Sequence, residues 1–94
     1  DLAMAYNNRA NIRRGQNDLA GALADYNMAI KNAPNYTDAY VNRGWTHYLM
    51  GTVEASIADY EKTLQIDPDH ADAKYNLELV KRLTRKNGTP DDTV

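Results

Sequence analysis

The feature that most constrains the fold is a similarity of the sequence to itself at a spacing of 34 residues. A shift by that spacing carries Asp38, Ala39 and Asn42 onto Asp72, Ala73 and Asn76. The same shift aligns eight identical pairs in the first part of the chain: Ala5 with Ala39, Tyr6 with Tyr40, Asn8 with Asn42, Arg9 with Arg43, Ala24 with Ala58, Asp25 with Asp59, Tyr26 with Tyr60, and Pro34 with Pro68. Two amphipathic helical patterns in each period indicate a helix-turn-helix solenoid.

The spacing of apolar residues predicts five helices joined by short connections. Apolar side chains recur every three to four residues, which is the period of one helix face. Gly15 and Gly51 end the first and third helices, and Pro34 and Pro68 stop the second and fourth because proline lacks the backbone N–H. The expected N-caps are Asp1, Asp18, Thr37 and Thr52. The helices are expected at about residues 1–14, 18–32, 37–50, 52–67 and 71–86.

Each period resembles the tetratricopeptide repeat, a family whose unit has an aromatic residue, a leucine-glycine pair, a tyrosine, an alanine, a second aromatic and a closing proline. The second unit is similar at Tyr40, Gly44, Tyr60 and Pro68 and differs at Arg43, His47 and Ser56. The first unit is similar at Tyr6, Ala10, Ala22, Tyr26 and Pro34, with Arg9 and Arg13 in the leucine and tyrosine positions. Because the arginine recurs in both units, we interpret it as a subtype of the repeat.

The resemblance covers nearly the whole chain and implies an all-α fold. The implied fold class is a right-handed α-solenoid of antiparallel helix pairs, with two repeats and a C-terminal solvating helix. The single domain is predicted at residues 1–86, with repeat 1 at about 3–36, repeat 2 at about 37–70 and the capping helix at about 71–86. Residues 87–94 are polar and contain a proline, so we expect a flexible tail.

Charge and composition exclude several classes of protein. A net charge of −2 and a pI near 5.5 disfavour a nucleic-acid partner, which requires a basic face to neutralise phosphates. No apolar run approaches the roughly 20 residues that span a bilayer, so we expect no membrane insertion. We expect a soluble protein, whose compartment stays open with the cytoplasm slightly favoured. The chain has no initiator methionine, and we expect it to be part of a longer protein.

No group of side chains predicts catalysis, a metal site or a cofactor. His47 occupies the position of a core tyrosine in the resembled repeat, where we expect it to pack. His70 lies in the turn between units, where we expect a solvated side chain. Asp67 and Asp69 flank a proline and are interpreted as turn residues. Because the sequence has neither a Gly-rich phosphate loop nor a Ser/His/Asp set, we expect no enzyme activity.

Arg9 and Arg43 stand where the resembled repeat has leucine, so each charge needs a partner. Asp25 and Asp59 follow sixteen residues later in the same units, on the partner helix. We predict that Arg9 pairs with Asp25, and that Arg43 pairs with Asp59 or with the next unit's equivalent.

The resemblance implies that the first helix of each repeat lines a concave groove. Asn8, Asn42 and Asn76 recur once per period in that helix, and adjacent helices lie roughly 8–10 Å apart. An extended peptide rises about 3.3 Å per residue, so each asparagine would meet about every third residue and hydrogen-bond its backbone amide. The predicted binding residues are Asn8, Asn11, Asn42, Trp45, Tyr48, Tyr75, Asn76 and Leu79.

Asn11 and Asn42 also fall where chaperone-binding members of the family place two clamp asparagines. The basic positions of that clamp hold Asn7, Asp72 and Asn76 in this chain, and Asp72 would repel a terminal carboxylate.

Two interpretations stay open for the central residues of the groove. Trp45 is either the anchor for a ligand or a core residue, and the asparagines either bind peptide backbone or are a structural feature of this subtype. The predicted function is a non-catalytic interaction module or scaffold that binds an extended or helical segment of a protein partner without a cofactor. The alternatives are an element that stacks or self-associates, and a regulatory domain of a larger protein.

Overall fold

The computed structural model describes residues 1–88, with side chains described through residue 85. This part of the chain forms five α-helices and no strand, which confirms the predicted all-α fold. The helices are α1 (Leu2–Gly15), α2 (Leu19–Asn32), α3 (Thr37–Leu49), α4 (Val53–Ile66) and α5 (Ala71–Gly88).

Two aspartates begin helices as predicted. The Asp1 carboxylate accepts a hydrogen bond from the backbone N–H of Met4 (2.8 Å), and Asp18 accepts one from that of Gly21 (3.0 Å). Each bond satisfies an N–H group that a helix leaves free in its first turn. After α1 and α3 the backbone becomes left-handed, at residue 17 with φ 64° and at Gly51 with φ 84°. These turns reverse the chain, so that α2 and α4 run back along their partners.

The two threonines predicted as N-caps do not cap with their side chains. Thr37 is the first residue of α3, and Tyr36 precedes it as the N-cap residue. Thr52 holds the N-cap position of α4, but its hydroxyl donates to the carbonyl of His47 (3.0 Å) instead of accepting from the helix. The tight turn between α3 and α4 brings that carbonyl close to the hydroxyl, and the sequence alone does not reveal this competing acceptor.

The start and end of α5 also differ from the prediction. Nδ1 of His70 accepts a hydrogen bond from the backbone N–H of Ala73 (3.2 Å), so this half-buried side chain caps the helix and is not simply solvated. The helix was predicted to end near residue 86, and it continues to Gly88. The rest of the predicted flexible tail, residues 89–94, lies outside the described residues.

Successive helices pack side by side and build two layers. Each helix contacts the next one along the chain, and α3 also contacts both α1 and α5. The odd-numbered helices therefore form one layer, and α2 and α4 form the other. Short connections make successive helices antiparallel, which is the solenoid of helix pairs expected from the period. Among the helices of residues 1–88, none combines the length and apolar character needed to cross a lipid bilayer.

The second helix of each pair buries one tyrosine at the centre of the packing. Tyr26 packs with Ala10 and Ala22, and Tyr60 packs with apolar residues of α5. Both rings are fully buried, and burial raises the pKa of Tyr60 to about 12. A Cβ at Gly44 would lie 3.0 Å from the Tyr60 ring, so the absence of a side chain there lets α3 approach α4 closely.

Both predicted arginine-aspartate pairs form. In each pair, Nε and Nη2 of the arginine donate to the two carboxylate oxygens, at 2.8 and 2.7 Å for Arg9 with Asp25 and at 2.9 and 2.7 Å for Arg43 with Asp59. Each guanidinium also lies over the ring of the tyrosine three residues before it, 5.7 and 5.5 Å from the centroid. Bidentate pairing and ring contact explain how arginine replaces leucine here while both buried carboxylates stay compensated.

We expect the first pair to make the protein sensitive to acid. The hydrogen bonds from Arg9 hold the pKa of the Asp25 carboxyl below its ordinary value of 3.8, although burial acts in the opposite direction. Because the folded pKa is the lower one, ionised Asp25 stabilises the fold fully above the unfolded pKa, and this contribution is lost as pH falls through the folded pKa. Urea unfolding between about pH 5 and pH 2 should show this loss, and Asp25→Asn should flatten it. An equally steep loss in both proteins would contradict the role given to Asp25.

Candidate functional site

The odd-numbered helices leave a groove of about 420 Å³ on the exposed side of their layer. Because the first helices of successive repeats lie side by side, residues from all three helices meet there. The lining residues are Arg14 from α1, Val41, Asn42 and Trp45 from α3, and Asp72, Tyr75, Asn76 and Leu79 from α5.

The groove brings together five of the eight residues predicted to bind a ligand. Asn42 and Trp45 lie on α3, and Tyr75, Asn76 and Leu79 lie on α5. Tyr75 is 67% exposed, and the other four are half-buried. Aromatic, aliphatic and amide groups therefore share one accessible surface, whose role in binding stays a prediction.

The other three predicted residues do not line the groove. Asn8 is exposed on α1. Asn11 accepts a hydrogen bond from the hydroxyl of Tyr26, so its amide oxygen is used within the first helix pair. The ring of Tyr48 stacks on the ring of Trp45.

The asparagine of α1 that hydrogen-bonds to α3 is Asn7, whereas the 34-residue spacing had singled out Asn8. Nδ2 of Asn42 donates to Oδ1 of Asn7 (3.2 Å), and Nδ2 of Asn7 donates to the hydroxyl of Tyr36 (3.4 Å). The period compares equivalent positions in two repeats, whereas this bond joins Asn42 to a position one residue earlier in the preceding first helix. Among the described residues, no donor bonds to Oδ1 of Asn42, and this residue lines the groove.

One part of the Trp45 side chain packs against the protein, and another part lines the groove. Its ring stacks on Tyr48, with centroids 5.1 Å apart and planes inclined by 28°. Both rings pack against the cluster of Tyr60, Leu77 and Val80. The remaining indole surface lines the groove. A ring already fixed in place loses little conformational entropy when it contacts a ligand.

The groove carries two opposite charges. Nη1 of Arg14 donates a long hydrogen bond to the backbone carbonyl of Asn42 (3.4 Å), and no carboxylate of the described side chains forms an ion pair with it. Asp72 is exposed in the first turn of α5, where the helix dipole favours a carboxylate. The lining is thus balanced in charge, with the cation on α1 and the anion on α5.

The other polar groups near α3 have structural contacts. Nδ1 of His47 lies 2.9 Å from the hydroxyl of Thr52, and Nε2 lies 4.0 Å from the Asp59 carboxylate. Burial lowers the pKa of His47, which favours the neutral imidazole. Within the described side chains, no three histidine, aspartate or glutamate residues converge to hold a metal ion.

Residues 37–70 match the family model described as tetratricopeptide repeat. The chain is also similar to RNA polymerase II-associated protein 3 from Mus musculus, with 34% identity over 83 residues, 87% of this chain and 13% of that protein. It is 32% identical over 78 residues to protein O-mannosyl-transferase TMTC1 from Homo sapiens, covering 83% of this chain and 9% of that protein. The chain therefore spans a small part of the length of these relatives.

A similar fold occurs in the solved structure of the first TPR of Spaghetti (RPAP3), which was determined with the HSP90 peptide SRMEEVD bound to it. The two chains share 27% identity with a TM-score of 0.81, over 86% of this chain and 64% of the other. The likeness includes both helix layers, so the groove across α1, α3 and α5 belongs to a fold that also occurs in a peptide-bound protein.

Proposed function

Because the chain belongs to the tetratricopeptide repeat family, we propose that it is a non-catalytic interaction module whose groove across α1, α3 and α5 binds an extended segment of a partner protein. The observation that carries the proposal is that Asn42, Asn76 and a half-buried Trp45 stacked on Tyr48 line one groove. Amide groups complement a peptide backbone, and an aromatic ring complements an apolar side chain.

The asparagines alone do not account for useful affinity. Each net hydrogen bond contributes roughly 0.5–1.5 kcal/mol, so a few of them offset little of the entropy lost on association. Trp45, Tyr75 and Leu79 supply the apolar surface that the ligand covers. An aromatic anchor surrounded by polar groups has the character of a binding hot spot.

The charges of the groove favour a ligand different from the peptide bound to the Spaghetti domain. The sequence SRMEEVD carries three acidic side chains against one arginine. In this chain, Arg14 is the cation of the groove lining. The negatively charged side chain of Asp72 also lines the groove and would repel an acidic ligand. The ligand we propose is therefore a neutral or mixed-charge internal segment with an apolar residue on Trp45.

The proposal assigns no reaction to these residues. One relative is by its name a transferase, and the present chain spans 9% of its length. The function proposed for this chain is that of an adaptor or scaffold, with protein segments as partners.

The test is a peptide-binding measurement read out at Trp45, which is the single tryptophan of the chain. A displayed library of peptides of about eight residues, with amidated C-termini, would span the groove. We expect selected peptides to bind with a Kd of about 10–100 µM, to shift the Trp45 fluorescence, and to shift amide NMR signals of Asn42 and Asn76. SRMEEVD serves as the acidic comparison peptide and should bind more weakly.

Two substitutions locate the binding site. Trp45→Ala also removes the fluorescent probe, so its binding is followed by the NMR shifts of Asn42 and Asn76. It should weaken binding at least about tenfold, because it removes the anchor. Asn42→Ala should weaken binding less, because it removes one backbone contact. Asn8→Ala is the matched control, since Asn8 is exposed outside the groove. Equal losses at Asn8 and Asn42, or NMR shifts confined to other surfaces, would contradict the proposed site.

A structural role through stacking or self-association is the second candidate. The exposed side chains of Leu2 and Ile12 on α1 favour it, because apolar residues at the end of a solenoid are normally covered. Concentration-dependent sedimentation of the chain, abolished by a charge at Ile12, would support self-association as the function.

A further inference from the structure

The groove lining holds one cation and one anion on the two helices that flank α3. Arg14 lies in the last turn of α1, and Asp72 lies in the first turn of α5. No ion pair joins them, and neither forms one with any other side chain that the structure describes. Both charges are therefore available to a ligand in the groove.

The guanidinium of Arg14 lies beside α3 with most of its donors unused. Nη1 donates the 3.4 Å hydrogen bond to the backbone carbonyl of Asn42, and Nε and Nη2 have no acceptor in the described part of the chain. The side chain is half-buried. A planar guanidinium with unused N–H groups binds a carboxylate through two parallel hydrogen bonds. The α1 side of the groove is therefore suited to an acidic side chain of a ligand.

The carboxylate of Asp72 favours the opposite charge. It lines the groove together with Tyr75 and Asn76 and is exposed. At this position it attracts a lysine or arginine of a ligand and repels an acidic residue. An exposed ion pair is screened by solvent and salt, so its contribution is smaller than that of a half-buried one. The α5 side of the groove therefore selects a basic residue, but less strongly than the α1 side selects an acidic one.

The same charges recur at equivalent positions outside the groove. By the 34-residue spacing, Asp38 is equivalent to Asp72, and Arg82 is equivalent to Arg14. Both Asp38 and Asp72 lie in the first turn of a helix, where the helix dipole favours a carboxylate. Asp38 and Arg82 are exposed, and neither lines the groove. A contribution to helix stability is thus common to both aspartates, whereas access to the groove distinguishes Arg14 and Asp72.

The positions of the two charges determine their spacing in a ligand. The Arg14 guanidinium bonds to Asn42 of α3, and Asp72 lies on the neighbouring helix α5. Adjacent helices are roughly 8–10 Å apart, and an extended peptide rises about 3.3 Å per residue. The matching acidic and basic residues of a ligand are therefore about three positions apart.

On the basis of the function proposed above, we infer that the groove selects protein segments in which an acidic residue contacts Arg14 and a basic residue about three positions away contacts Asp72. These two side chains then determine specificity, while Trp45 supplies the apolar anchor. A uniformly acidic segment is repelled at Asp72, and a uniformly basic segment is repelled at Arg14. The partner is thus a segment with both charges and an apolar residue.

Double-mutant cycles between protein and peptide test this pairing. The probe is a peptide selected from the amidated library that carries an acidic and a basic residue about three positions apart, together with two variants in which glutamine replaces one of these residues. Each peptide is titrated into the wild type, Arg14→Gln and Asp72→Asn, and Trp45 fluorescence gives the Kd. The cycles identify which charges pair whether the peptide binds in one chain direction or in the other.

We expect Arg14→Gln to weaken the selected peptide at least about fivefold, because hydrogen bonds to a charged group are lost. It should not weaken the peptide that lacks the acidic residue. Asp72→Asn should weaken the selected peptide about two- to fourfold, as for an exposed ion pair, and should not affect the peptide that lacks the basic residue. Asp38→Asn and Arg82→Gln are the matched controls and should leave the Kd within about twofold, because charges outside the groove are screened.

The outcomes separate this inference from the proposed function. Equal losses for Asp38→Asn and Asp72→Asn, or for Arg82→Gln and Arg14→Gln, would overturn the inference, because net charge would then set the affinity. Selected peptides that depend on Trp45 but lack the charge pair, or that show no coupling to Arg14 and Asp72, would overturn it and leave the proposed function intact. A library that yields no binding peptide would overturn the proposed function and this inference with it.

Discussion

Replacing Arg43 with leucine is expected to lower the free energy of unfolding by about 2–4 kcal/mol, although leucine is the residue that the resembled repeat has at this position. Arg43 donates two hydrogen bonds to Asp59, which is only 5% exposed. Removing the guanidinium leaves a buried carboxylate without compensation, which is the costly way to break an ion pair. This loss of unfolding free energy lies toward the lower end of the range for breaking a buried ion pair, because the Arg43 side chain is 22% exposed.

The double variant Arg43→Leu with Asp59→Ala separates this cause from a loss of packing. Replacing both members with apolar residues removes the uncompensated charge, so most of the lost stability should return. Urea unfolding of the wild type, both single variants and the double variant gives the coupling free energy of the pair. If the double variant were as unstable as Arg43→Leu alone, the pair would not be the source of the loss.

The first repeat provides an internal comparison. Arg9→Leu should destabilise the protein less than Arg43→Leu, because Nη1 of Arg13 remains 3.3 Å from Asp25 as a second cation. Apart from Arg43, the one basic group within 4.0 Å of the Asp59 carboxylate among the described side chains is the imidazole of His47. In the Arg43→Leu protein, the deficit should therefore shrink below the pKa of His47, where the protonated ring becomes a partner for Asp59.

These ion pairs could be predicted because the period fixes which residues face each other. An arginine and an aspartate sixteen residues apart recur in both units, and a helix pair with a short turn places such residues on adjacent turns of partner helices. The caps at Asp1 and Asp18 were predictable for a similar reason, since the carboxylate acts on its own helix. At Thr52 the competing acceptor is the carbonyl of His47, which only the folded turn brings close.

The groove was predictable on α3 and α5 but less so on α1. Asn42, Trp45 and Asn76 occupy positions whose orientation is fixed by helices on both sides or by the core behind them. α1 contacts α2 and, more sparsely, α3, and adjacent residues on a helix point about 100° apart. The recurring asparagine of α3 bonds back to the preceding first helix, so it is Asn7 and not Asn8 that meets α3. The period alone does not show whether that asparagine meets the preceding or the following helix.

Replacing Tyr60 with alanine is expected to lower the free energy of unfolding by about 3–5 kcal/mol, the range for truncating a large aromatic residue in a core. Tyr60 is fully buried, packs with Leu77 and Val80 of α5 and faces Gly44, which has no side chain to occupy the vacated space. Such a loss is a large share of the roughly 5–15 kcal/mol that stabilises a domain. We expect α4 and α5 to lose order first, because each helix pair of a solenoid depends on its neighbours.

Tyr75→Ala is the matched control, and it separates stability from binding. Tyr75 is 67% exposed on the groove, so its removal should change the free energy of unfolding by no more than about 0.5 kcal/mol. The same variant should weaken the selected peptides, since it removes apolar surface from the ligand side of α5. Urea unfolding and the Trp45 titration measure the two effects on the same samples. A folded Tyr75→Ala protein with undiminished peptide affinity would contradict the role given to Tyr75 in covering the ligand.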